Sequence, residues 1–174
     1  MATLVIVGIV VAVVVVAGVA VAAAIVLSGG GIGGGGAGGG GGINIAQATS
    51  LQFDVEARDA SGNMVTSGTC YMKNIGQSNA KIRMDMTAQG TQVKIIIDAA
   101  SQKFWLWSGE TGWMDMSGYM NPDVYESMAQ GYRSSLSNWG GTGEYTYTSS
   151  EGHSVRIYNI HVNPALSDSL FTPS

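Results

Sequence analysis

Very few side chains in this chain could carry chemistry. It has two histidines and one cysteine among 174 residues. His153 and His161 fall at either end of one expected strand, too far apart to share a metal ion. Cys70 lies inside another expected strand with only Lys73 as a flanking cation, the setting of a buried, inert thiol and not of an activated nucleophile. Asp98 and Asp115 end strands, where a carboxylate accepts turn N–H groups. No Ser/His/Asp arrangement, phosphate loop or catalytic acid pair can be read from the spacing. Gly31 to Gly36 formally matches the dinucleotide fingerprint G-x-G-x-x-G. The element before it is too long for a strand, however, no amphipathic helix follows, and no ribose-binding acid is placed downstream. The expectation is a protein that is not an enzyme and holds no cofactor and no metal.

The more informative residues are aromatic and soft. In "KFWLW", Phe104 and Leu106 point to one side of a strand and Trp105 and Trp107 to the other, with Trp113 just past the next turn. One pair must leave the core unless the sheet is covered on both faces. Eight of the nine methionines lie beyond residue 60, and Met recurs at deformable apolar surfaces. A cavity for an apolar ligand would draw on Met84, Met86 and Ile95 from the strands, with Trp105, Trp107 and Trp113 lining or rimming its mouth. Tyr125, Met128 and Tyr132 would face it from a helix. The same residues also suit plain core packing, or in the case of the tryptophans a protein contact surface.

Positioning these side chains requires a sheet. From residue 51 the apolar period is two: Leu51, Phe53, Val55 and Ala57 alternate with Gln52, Asp54, Glu56 and Arg58. Further strands are expected over 64–72, broken at Gly68, and over 81–86, 91–97, 103–107 and 112–116, with tight turns between them. One helix interrupts the series. Asn121 suits its N-cap and Pro122 its first turn, and Tyr125, Met128, Tyr132 and Leu136 share a face before Asn138 and Gly140-Gly141 end it. Strands over 143–148 and 154–162 form a hairpin, and Pro164 stops the second. The fold class predicted is α+β, mainly β: a curved antiparallel meander, or half-barrel, of about eight strands. The amphipathic helix lies against its concave face, because a lone sheet cannot bury that face itself.

Before the sheet the composition changes twice. Every residue from Leu4 to Leu27 is Val, Ile, Leu, Ala or Gly, a run that as a helix reaches about 36 Å and fits a bilayer core. Leu27-Ser28-Gly29-Gly30 looks like a lipoprotein processing box, but with Gly30 in place of the cysteine no lipid can be attached there. Ala22-Ala23-Ala24 would allow cleavage as a signal, yet the run lacks a basic n-region and exceeds the usual apolar length of about 7 to 15 residues. Residues 1–28 are therefore expected as a transmembrane anchor, 29–42 as a glycine-rich flexible linker, and 43–174 as one extracytoplasmic domain. Orientation with the short N-terminal tail in the cytoplasm places that domain outside the cell membrane as a single-pass protein. All charges follow Phe53, and the net charge of -4 argues against a nucleic-acid partner.

The stretches "LQFDVEARDASGNMVTSGTCYMKN", "AKIRMDM" and "IIIDAASQKFWLWSGETGWMDMS", with the closing "VNPALSDSLF", resemble the LolA/LolB-like superfamily of outer-membrane lipoprotein carriers and sorting receptors. The resemblance implies an open half-barrel closed by helices, whose apolar interior accepts acyl chains of lipids or lipoproteins. Archaeal surface proteins built as anchor, glycine tract and LolA-like domain are the most similar in plan. The chain departs from the family in being tethered by protein and not soluble or lipidated. The expected function is non-catalytic binding of a lipid or other apolar ligand beside one membrane. The alternative is a subunit of a surface filament, like an archaeal type IV pilin, in which the N-terminal helix also serves homo-oligomerisation.

Overall fold

Alternation of apolar and polar residues builds strands that are buried on one side, and turn residues with left-handed backbone join them. The computed structural model describes residues 48–119, 143–148 and 152–174. β1 is Ser50–Arg58, β2 Met64–Lys73, β3 Lys81–Ala88, β4 Thr91–Asp98, β5 Lys103–Ser108, β6 Gly112–Asp115, β7 Tyr145–Thr148 and β8 Ser154–Val162. They form one eight-stranded sheet in the order β6-β5-β4-β3-β2-β1-β8-β7, every pairing antiparallel. The sheet is open, with β6 and β7 at its edges. Among the described residues the only helical pieces are two 3₁₀ turns, Ser117–Tyr119 and Asp168–Phe171. The α+β reading therefore stands in its mainly β part. The anchor over 1–28, the linker over 29–42 and the helix predicted after Asn121 lie outside the described residues. Among those described, no helix is long and apolar enough to cross a membrane.

Register sorts the side chains into rows across the sheet. Leu51, Met72, Ile82, Ile97 and Phe104 stand abreast on one face; next to them stand Phe53, Cys70, Met84, Ile95, Leu106 and Met114. A third row runs Ile157, Val55, Gly68, Met86 and Val93. These side chains form the core, with Phe53, Leu106 and Ile157 fully buried. Each large apolar side chain so placed is worth about 1.5 to 3 kcal/mol.

Two local devices keep the rows aligned. β2 is not broken at Gly68, contrary to the sequence expectation: Gly68 pairs with Val55 on one side and Met86 on the other. A Cβ there would collide with the Asp85 carbonyl oxygen and crowd the Met86 sulfur, so the glycine admits close strand approach and does not end the strand. On the other flank β8 carries a bulge. Gln52 pairs with His161 while Asp54 pairs with Tyr158, and Asn159 takes φ 50° to absorb the extra residue. Its side chain then donates to Asp54 at 2.8 Å. The bulge flips the alternation of β8, so that Ile157 and Val162 both reach the core face.

Candidate functional site

The apolar face is the part of the molecule best furnished to hold something. Met72, Met84, Met86 and Met116 are buried in it, and Met114 packs partly buried against it. Met84 stands directly opposite Cys70 on β2 and Ile95 on β4. Thioethers on unbranched side chains can re-pack without moving the backbone, which branched Ile and Val cannot do. The Cys70 thiol sits in the same row, and burial pushes its pKa up; it stays protonated and adds packing, not reactivity.

The sheet divides the sequence-derived site residues. Met84, Met86 and Ile95 share the core face. Trp105, Trp107 and Trp113 are half-buried on the opposite, outer face, so these six side chains cannot line a single cavity. Tyr125, Met128 and Tyr132 lie outside the described residues.

The outer face is an ordered strip of its own. Trp107 stands between Lys94 on β4 and Trp113 on β6, and the Lys94 ammonium lies 4.8 Å from the centre of its ring, a cation–π contact. Trp105 stands between Ile96 and Asp115. Lys103 donates to Asp115 at 2.6 Å. With Ser117 also donating, this holds the Asp115 carboxyl well below the ordinary carboxylate range. Across this strip runs the C-terminal segment after Pro164. Its 3₁₀ turn lies against β3 and β4, Phe171 is buried, and the Trp113 indole N–H donates 3.0 Å to the main-chain oxygen of Ser174. That cover explains why Ile96, which faces away from Ile95 and Ile97, is fully buried. Sequence reasoning missed the covering segment. Its signal was "III" at 95–97, an apolar run that ignores alternation and so marks a strand covered on both faces.

The polar side chains elsewhere on the described surface pair with the backbone and with one another. Asp98 accepts from the Ala100 and Ser101 amides at 3.0 and 3.3 Å, the turn role expected for it. Near the bulge, Asp54 accepts from Thr69 at 2.7 Å, and Glu56 accepts from Tyr158 at 3.0 Å. Arg156 stacks 4.3 Å over the Tyr158 ring and pairs with Glu144 at 2.6 Å. Burial, followed by the Glu56 hydrogen bond, raises the Tyr158 phenol, so it remains a neutral donor. The histidines are both exposed, at opposite ends of β8. Among the described residues no group of three or more His, Cys, Asp or Glu could hold a metal ion.

No family model matches the chain, and no curated protein matches it in sequence.

Proposed function

We propose that the chain is a membrane-tethered, non-catalytic binding domain that holds a lipid or other apolar ligand against the methionine-rich face of its sheet. The observation that carries this reading is the composition of that face. Three registered rows of apolar side chains run across it, softened by thioethers at adjoining positions on β2, β3 and the segment after β6. The side chains of this face are buried, so an acyl chain enters by displacing them from one another, and side chains that re-pack easily lower the cost of doing so. The curved half-barrel and the LolA/LolB-like relationship belong to this proposal; an open, wholly antiparallel sheet supports both. The apolar run 4–27 supplies the tether, and the glycine tract keeps the domain roughly 20 Å from the outer surface of the cell membrane.

The test is photolabelling of the full chain in mild detergent with a diazirine-bearing fatty acid, followed by peptide mapping. Adducts on β3 and β4 around Met84, Met86 and Ile95 are expected, reduced several-fold when Met84 and Met86 are both replaced by isoleucine. Adducts confined to residues 4–27 would overturn the reading.

A further inference from the structure

Lys73 and Lys81 stand directly opposite each other on β2 and β3, a pairing of like charges that costs stability unless an anion is shared between them. Arg83, two residues along β3 on the same face, brings a third cation roughly 7 Å away. Two strand carboxylates face this group. Asp98 lies 3.9 Å from Lys81, and Asp85 accepts from both Nε and Nη2 of Arg83 at 2.8 and 3.0 Å. That leaves one positive charge over.

The C-terminal segment supplies the missing anion. Oδ1 of Asp168 lies 3.1 Å from the Lys73 ammonium and 3.7 Å from that of Lys81. The same segment offers two carbonyls, Leu166 O to Lys73 at 2.9 Å and Leu170 O to Arg83 at 2.8 Å. The partners differ in how firmly they are set: the side chains of Lys73 and Lys81 are each 24% exposed and that of Arg83 13%, while that of Asp168 is 73% exposed. The cations are thus built into the sheet, and the anion is laid on from the solvent side.

We propose that Lys73, Lys81 and Arg83 form a binding site for a phosphate group, that Asp168 fills it in the absence of phosphate, and that phosphate releases the C-terminal segment. A phosphate monoester carries nearly two charges and three strong acceptor oxygens, so it can replace one carboxylate and two carbonyls together. Because Asp168 competes from within the same chain, at an effective concentration in the millimolar range, displacement calls for about millimolar phosphate. Release uncovers Ile96 and Phe171 and frees the Trp113 indole. The phosphate could belong to a lipid headgroup or to a soluble ester, and the site chemistry is the same for both.

The experiment uses the full chain in phosphatidylcholine nanodiscs and follows hydrogen exchange over residues 166–174 together with tryptophan fluorescence. Sodium phosphate is expected to raise exchange in that segment at about millimolar concentration, while sodium chloride at equal ionic strength leaves it unchanged. Asp168→Asn should lower the phosphate midpoint about tenfold, the size expected when a competing charge-assisted contact is lost, and Asp168→Glu should restore it. Release in nanodiscs containing phosphatidic acid, without added phosphate, supports the site and assigns it to a headgroup; release by free phosphate alone supports it and assigns it to a soluble ester. Identical responses to phosphate and chloride, or an unchanged midpoint in Asp168→Asn, would overturn the proposal.

Discussion

Asn163 shows how much one side chain can settle. It holds φ 54° at the end of β8, and its Oδ1 accepts from the amides of Thr49 and Ser50 and from the Thr49 hydroxyl at 2.8, 3.4 and 3.2 Å. Ser50 adds a hydroxyl bond to the Pro164 carbonyl at 2.8 Å, so the start of β1 and the exit from β8 are tied at one point. Asn163→Ala loses these acceptor contacts and also forces alanine into left-handed backbone, and should cost about 2 kcal/mol. Asn163→Gly loses only the contacts and should cost roughly half as much. Urea unfolding of the two variants checks the order; equal losses would mean that backbone strain plays no part.

At the scale of elements, the β2–β3 pair depends on the missing side chain at residue 68. In Gly68→Ala the new Cβ meets backbone on β3, which cannot rotate away as a side chain could. A loss of about 2 to 3 kcal/mol is expected, with chemical denaturation as the measurement. The covering of β4 makes a second prediction. Phe171 is buried outside the main core cluster, and Phe171→Ala should cost about 2 to 3 kcal/mol, less than the usual 3 to 5 for a core Phe, because the segment it anchors is short and partly solvated. Hydrogen exchange should then rise at Ile96 and Arg83, while Phe53 and Leu106 keep their protection. Uniform loss of protection across the sheet would show that the segment is integral to the core and not an added layer.

For the molecule as a whole, acid is the revealing variable. Hydrogen bonds hold three carboxyls below their ordinary range: Asp59 through the Asn63 side chain and the Asn63 and Ser61 amides, Asp115 chiefly through Lys103, and Asp168 chiefly through Lys73. A carboxyl whose pKa is lower folded than unfolded contributes its stability in full above the unfolded value, about pH 4, and loses it as pH falls through the folded value. Stability should therefore be flat from neutral pH to about pH 5 and fall below pH 4. Asp115 and Asp168 are exposed and Asp59 is half-buried at the surface, and added salt should shrink the acid-sensitive part. Thermal melts across that range, at low and high salt, are the check; a decline that begins well above pH 5 would count against the three carboxyls as its source.

Much of this molecule was legible in the sequence. Period-two alternation marked β1, β3 and β5, glycine and asparagine marked the turns, and both rest on local backbone preferences that need no partner strand to be read. The burial of Cys70 and the turn role of Asp98 followed from position alone. Four things needed the tertiary structure. Gly68 read as a break because the backbone that a side chain there would strike, at Asp85, is seventeen residues away in the chain. The bulge at Asn159 shows only in the pairing of β8 with β1, where a three-residue step on β8 meets a two-residue step on β1. The split of Met84, Met86 and Ile95 from the three tryptophans follows from the register of β3 to β6, whereas the C-terminal segment that brings Asp168 to Lys73 and Lys81 depends on contacts spanning about ninety residues. Local sequence determines which way a side chain points along its strand; only the assembled sheet, with the chain folded back across it, decides what that side chain meets.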